Sequence, residues 1–187
     1  DLRPRVRRQR QMCIRDRDDE QVGEEVYISM VNKAEKYCWF ITPYLIITDE
    51  MTHALTLAAK RGVDVRIITP GIPDKKQIYN ITRSFYHGLV KDGVRIYEWT
   101  PGFCHAKMSV ADDCMATCGT INLDYRSLYH HFENGCFMTD CDAVLDIRND
   151  LEATMKECRE VTEKYRVGRS AYLRLGQLFM RLFAGLL

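Results

Sequence analysis

The strongest constraint on this chain is a regular alternation of helical and extended segments between residues 18 and 100. Residues 37–42 form a short apolar run stopped by Pro43. Residues 63–69 form a second, ended by Pro70-Gly71, and residues 94–100 a third. Runs of this length between proline and glycine breakers read as buried strands. Ahead of the first run, Val22, Val26, Ile28, Met30, Val31 and Ala34 recur at helical spacing. The acids Asp19, Glu20, Glu24 and Glu25 come early there and Lys33 and Lys36 late, as the helix dipole favours. Thr48 or Asp49 can cap a second helix running to Lys60, with Gly62 after its end. Residues 74–92 read as a third helix, followed by Gly93. This order calls for βαβ crossovers, and so for an α/β fold with a largely parallel sheet and helices on both faces.

Beyond residue 100 a Pro-Gly loop leads to two predicted strands, 105–111 and 115–118, joined tightly at Asp112-Asp113. Residues 122–129 read as a loop or short helix, 133–139 as a strand and 142–164 as one long polar helix. In the tail, Tyr172, Leu175, Phe179, Leu182, Phe183 and Leu186 stand at helical spacing among Arg169, Arg174 and Arg181. That is a basic amphipathic helix, suited either to a membrane surface or to packing on a core.

Charge is unevenly spread. Residues 1–17 hold seven Arg against Asp1 and Asp16, a net of +5, which leaves −4 of the overall +1 for the remaining chain. The three expected regions are a disordered or non-native leader (1–17), a catalytic body (18–168) and the C-terminal helix (169–187). A mildly acidic body argues against a surface built to follow a polyanion, so nucleic acid is not the expected partner. The eight cysteines form no C-x-x-C pair. They read as small buried hydrophobes in a reducing compartment. No run approaches the roughly 18–20 apolar residues that span a bilayer.

The residues that carry chemistry lie in the stretch 105–122. His105 and Lys107 stand two apart in an extended segment and so point to one face. Lys offers a point charge to phosphate oxygens; His can attack phosphorus or move a proton near neutral pH. Asn122 adds amide donors, Thr120 a hydroxyl, and Gly119 allows close backbone approach. Asp112 has the opposite parity, which points to a structural role such as bonding the hairpin turn.

The spacing His105-x-Lys107-x4-Asp112-x6-Gly119-Thr120-x-Asn122 resembles the HKD motif of the phospholipase D superfamily. Thr42-Pro43-Tyr44, the run Gly62-Val63-Asp64-Val65-Arg66-Ile67, and Asn122-Leu-Asp-Tyr-Arg126-Ser127 followed by Phe132-Glu133 resemble the C-terminal half of a bacterial cardiolipin synthase. The resemblance covers residue 20 to the C-terminus. It implies an α/β/α sandwich with a mixed sheet, one of the two usual halves of the phospholipase D fold. It implies transfer of a phosphatidyl group between two phosphatidylglycerol molecules, releasing glycerol, through a phosphohistidine and with no metal or organic cofactor. On this resemblance His105 is the general acid/base. Lys107, Asn122 and Thr120 bind phosphate, Glu133 holds the histidine's other nitrogen, and Asp112 is the motif carboxylate.

Such chemistry needs two motifs, and this chain has one: His53, His87, His130 and His131 do not begin His-x-Lys. The resemblance therefore calls for a missing N-terminal HKD half or a second copy of the chain. It also implies an anionic membrane surface on the cytoplasmic face of a bacterial cell, the full-length enzyme being anchored by N-terminal segments absent here. The alternative is a homodimeric single-motif phosphodiesterase, nuclease or phospholipase D.

Overall fold

The computed structural model describes residues 8–13 and 21–167. Chain order runs β1 (Arg8–Cys13), α1 (Val22–Lys33), β2 (Tyr37–Ile41), β3 (Leu45–Ile46), α2 (Asp49–Lys60), β4 (Asp64–Pro70), α3 (Lys76–Val90) and β5 (Arg95–Trp99). It continues with β6 (Met108–Ala111), β7 (Met115–Gly119), β8 (Leu123–Asp124), a π-helical turn (Arg126–His130), β9 (Asn134–Thr139), α4 (Asp142–Glu157), β10 (Cys158–Glu160) and α5 (Thr162–Arg166).

Eight strands form one sheet in the order β1-β9-β7-β6-β2-β4-β5-β10, and β3 pairs with β8 apart from it. The neighbours β2, β4 and β5 are parallel, as their helical crossovers require. β1 and β7 run the same way as these three, while β6, β9 and β10 run against them. The expected α/β sheet is thus mixed, with its parallel pairing confined to the centre.

Alternation along the strands makes the three layers. Cys38 and Phe40 of β2, Val65 and Ile67 of β4 and Ile96 of β5 face one way, into a core shared with α1, α2, α3 and α5. Trp39, Ile41, Ile68, Tyr97, Val110, Ala116 and Met138 face the other way and meet Val144, Leu151 and Met155 of α4. Side chains such as Ile67 and Ile68 have no exposed surface, and each contributes roughly 2 kcal/mol by its burial.

Local chemistry explains the joints. Thr48 caps α2, its hydroxyl accepting the Met51 N–H at 3.0 Å. Asp112 and Asp113 take φ of 51° and 58°, and Cys114 N–H bonds Ala111 C=O at 3.1 Å. Two left-handed residues in succession make the tight turn that matches the strand twist, and aspartate tolerates that region better than most residues.

Four segments differ from their expected form. The strand containing His105 begins only at Met108, so His105 and Lys107 lie in the extended lead-in. The long helix over 142–164 breaks after Glu157. There β10 pairs with β5, Arg159 reaches Glu98 at 2.7 Å and Thr162 accepts the Ile96 N–H at 3.0 Å. Those cross-strand bonds outweigh the polar helical pattern, an override of local propensity by tertiary pairing. Residues 8–13, expected in a disordered leader, form edge strand β1 against β9. The rest of that leader and the predicted C-terminal helix 169–187 lie outside the described residues. The pairing of β3 with β8 was not foreseen, because two-residue strands leave no periodicity to read.

Candidate active site

The carboxyl ends of the parallel strands are where open α/β sheets bind ligands, and the His–Lys pair lies there. Met108 pairs with Ile41, the last residue of β2, so Lys107 stands just past that strand's end. The loop from β5 supplies Phe103 and His105. Lys107 is only 8 % exposed, whereas His105 is exposed. The Lys107 Nζ is 2.9 Å from His105 Nδ1 and 3.1 Å from Nε2, and it donates to the His105 carbonyl at 2.7 Å. The structure thus brings the two residues together as their parity requires.

This contact sets protonation. Desolvation first, and the Lys107 ammonium second, hold the His105 imidazole below the usual histidine range; Asp74 works the other way. Burial lowers the Lys107 pKa, against the opposing pull of Glu133 and Asp124. Two aromatic rings flank the imidazole. Tyr44 meets it edge-on with ring centres 6.5 Å apart, and Phe103 lies 5.9 Å away. The Tyr44 hydroxyl donates to Asp74 at 2.5 Å, which pins the loop between β4 and α3 beside the histidine.

Asp112 points away from this cluster. Its carboxylate accepts the backbone N–H groups of Glu35, Lys36 and Tyr37 at 2.6, 3.0 and 2.8 Å. The structural role expected from parity is met in a different place. The carboxylate ties the β6–β7 turn to the α1–β2 connection rather than closing its own hairpin.

Thr120 and Glu133 form a unit. The Thr120 hydroxyl donates to Glu133 and accepts the Asn134 N–H at 2.9 Å. Glu133 Oε1 also lies 3.9 Å from His131 Nδ1. The hydrogen-bond partner of Glu133 is therefore Thr120, not His105 as the resemblance implied, though its charge reaches Lys107. Thr120, expected to face phosphate, is held by the start of β9. Gly119 must be glycine here, because a Cβ would fall 2.3 Å from the Asn134 carbonyl oxygen and 2.7 Å from Gly135 Cα. Asn122 turns inward: its Nδ2 donates to Ser127 Oγ at 2.9 Å, and its Oδ1 is buried with no partner among the described residues.

Sequence reasoning assigned no role to Tyr44, Asp74, Asp124 or Ser127. Asp124 is buried, accepts the Ser127 N–H at 2.7 Å, and has its pKa raised by burial. Asp124 and Ser127 stand in the run after the motif, so the signal was present as pattern but not as chemistry. Tyr44 and Asp74 come from loops far away in sequence, and only the strand order brings them to His105. Among the described residues no group of three or more His, Cys, Asp or Glu is placed to hold a metal ion, and no helix is long and apolar enough to cross a membrane.

Residues 27–155 match the family model described as cardiolipin synthase, PLD-like domain. An uncharacterised Streptococcus mutans protein is 50 % identical over 170 residues, 91 % of this chain and 37 % of that protein. Cardiolipin synthase 2 of Bacillus cereus is 34 % identical over 164 residues, 88 % of this chain and 32 % of its own length. The chain therefore spans about a third of the length of these curated relatives. Among solved structures, the phospholipase D family member Nuc of Salmonella typhimurium superposes with a TM-score of 0.69 at 15 % identity, over 82 % of this chain and 97 % of that one. Phosphatidylserine synthase of Haemophilus influenzae does so with a TM-score of 0.74 at 15 % identity, over 98 % and 46 %.

Proposed function

The chain belongs to the phospholipase D-like domain family of cardiolipin synthases, and from that premise we propose that it is one catalytic half of a phosphatidyltransferase. The donor is phosphatidylglycerol, the acceptor a second phosphatidylglycerol, and the products are cardiolipin and glycerol. The observation that carries the reading is the Lys107 ammonium set against the His105 imidazole at the carboxyl ends of the parallel strands.

In this reading the histidine of a second motif attacks the donor phosphorus. A P–N bond forms, and the P–O bond to glycerol breaks. His105 gives its proton to the leaving glycerol oxygen. It then takes the proton of the acceptor hydroxyl, whose oxygen attacks phosphorus and breaks the P–N bond. A histidine held below its usual range is mostly neutral at pH 7, which suits the proton-accepting step. A phosphate anion nearby raises the affinity of His105 for a proton, as the donating step requires. Lys107 turns its charge from the imidazole to the phosphate oxygens. Asn122 joins Lys107 only when its inward-turned side chain swings away from Ser127 Oγ and brings its NH2 to the phosphate. Thr120 and Glu133 act behind Lys107 as a charged support, and Asp112 holds the scaffold. The second motif comes from another half of the protein or from a second copy of this chain. Its setting is the anionic surface of the bacterial membrane, on the cytoplasmic side.

The test is to give the protein phosphatidylglycerol vesicles in EDTA and to chromatograph the lipids. Cardiolipin and free glycerol in equal amounts are expected. Neither product from folded protein with both motifs present would overturn the reading. A second reading, a homodimeric phosphodiesterase, is favoured by the match to nearly the whole of the Nuc fold. It predicts a dimer in solution that hydrolyses bis(p-nitrophenyl) phosphate without metal, and a monomer without hydrolysis would remove it.

A further inference from the structure

A small cavity of about 60 Å³ lies against Tyr44, the ring that also flanks His105. Its walls come from Tyr44, Lys75, Asp124, Tyr125 and Arg126, over a floor of Ile46 and Ile78. Tyr44 and Asp124 belong to both places: the Tyr44 ring also flanks His105, and the Asp124 charge also reaches Lys107. The cavity therefore shares a wall with the proposed phosphoryl-transfer site.

Of its three charged groups, Asp124 is buried and accepts the Ser127 N–H, and the two cations are open to a ligand. Lys75 and Arg126 are exposed, and neither forms an ion pair with a carboxylate among the described residues. Arg126 is oriented by one bond, from its Nε to His131 Nε2 at 3.1 Å, which leaves its terminal nitrogens unused. Lys75 is fixed at the backbone, where its N–H donates to Asp74 Oδ1 at 2.7 Å. Asp74 accepts the Tyr44 hydroxyl on its other oxygen, so one carboxylate holds both the shared wall and the lysine's position. A lining of two cations, two tyrosines and two isoleucines suits an anion carried on a short polyol.

We propose that this cavity is the acceptor subsite, and that Lys75 and Arg126 bind the phosphodiester of the second glycerophospholipid while its terminal hydroxyl reaches past Tyr44 to His105. The inference rests on the phosphatidyl-transfer reading above and adds to it a place for the second lipid. It follows from the geometry of the substrate. An acceptor phosphatidylglycerol carries its own phosphodiester one glycerol away from the attacking oxygen. The Tyr44 ring lines the cavity and its centre is 6.5 Å from that of His105, so the glycerol bridge is the part of the acceptor that would run along it. The donor phosphate stands at His105 and Lys107, and the acceptor phosphate at Lys75 and Arg126.

The test uses the whole chain, labelled with ¹⁵N, and titrates glycerophosphoglycerol, the headgroup without acyl chains. Shifts are expected at the amides of Asp74 to Ile78 and Asp124 to Arg126, with a second set at His105 and Lys107. Lys75→Gln with Arg126→Gln removes two exposed charges and leaves the core untouched. It should weaken binding at the first set about tenfold and leave the second set unchanged. Inorganic phosphate at the same concentration should move the first set much less, because it lacks the polyol. The proposal fails if the first set never responds, if the double variant binds as tightly as the parent, or if inorganic phosphate does as well as the headgroup. A response at Lys75 and Arg126 without one at His105 and Lys107 would leave an anion-binding cavity and remove its assignment to the acceptor. The reverse pattern would remove the subsite alone.

Discussion

Replacing Asp112 with Ala should destabilise the protein by roughly 3.5 kcal/mol and leave the chemistry of each folded molecule nearly untouched. The magnitude follows from what the carboxylate holds. It accepts three backbone N–H groups, from Glu35, Lys36 and Tyr37. Hydrogen bonds to charged groups are worth about 1.5–3 kcal/mol each when protected. The first two sit at the surface, where water takes over, so about 0.5 kcal/mol is assigned to each. The Tyr37 N–H is half-buried and loses about 1.5 kcal/mol. Alanine in the left-handed region, at the φ of 51° this residue adopts, adds about 1 kcal/mol. For a chain of this size that sum lowers Tm by about 7–14 °C. Asp112→Asn keeps one acceptor and the tolerance for positive φ, and should lose about half as much. Urea melts of the parent and both variants give the stabilities, and phosphodiester turnover per folded molecule gives the activity. An alanine variant within 0.5 kcal/mol of the parent but a hundredfold slower would refute the reasoning and place Asp112 in the chemistry.

Four other outcomes are expected. His105→Ala should lose at least about a thousandfold in turnover with no loss of Tm, and a residual rate near the parent's would show that the imidazole moves no proton. A proton NMR titration should find His105 titrating below 6.5; Lys107→Met removes the adjacent cation and should move that midpoint upward, and an unchanged midpoint would separate the two residues. Gly119→Ala drives a Cβ to 2.3 Å from the Asn134 carbonyl oxygen, so it should cost more than about 2 kcal/mol and loosen β7 from β9, which hydrogen exchange reads directly. Glu98, wholly buried, takes Arg83 at 2.6 Å and Arg159 at 2.7 Å; Glu98→Ala should cost about 3–5 kcal/mol, and a much smaller loss in a denaturant melt would show that both arginines find water instead.

The central fold was legible because each of its elements announces itself. The runs ending at Pro43 and Pro70-Gly71 became β2 and β4, and Thr48 became the cap it resembled. Where the structure departs from the local pattern, a tertiary partner decides the outcome. Residues 158–160 are polar and follow a helix, and only β5 across from them makes them a strand. The site divides in the same way. His105 and Lys107 could be paired from parity alone, since extended backbone fixes which side chains are neighbours. Tyr44, Asp74 and the cavity behind them could not, because three loops at strand ends converge there. The partner of Glu133 is hidden from the sequence for a related reason. A spacing along the chain places a carboxylate near a histidine, but the start of β9 holds Glu133 on the Thr120 hydroxyl.

The clamp between Asp112 and residues 35–37 also bears on how the chain is made. β2 lies at the centre of the sheet, yet one of its two neighbours, β6, is translated some seventy residues later, as are the hairpin aspartate and its three bonds. During synthesis α1, β2, α2, β4, α3 and β5 can assemble first, with β2 at the open edge of a three-stranded parallel sheet. Such an edge, carrying Cys38, Trp39, Phe40 and Ile41, invites pairing with other chains until the hairpin arrives to cover it. The hairpin that brings His105 and Lys107 to the end of β2 is therefore also the piece that covers its edge, and it hands the open edge on to β7 until β9 and α4 arrive.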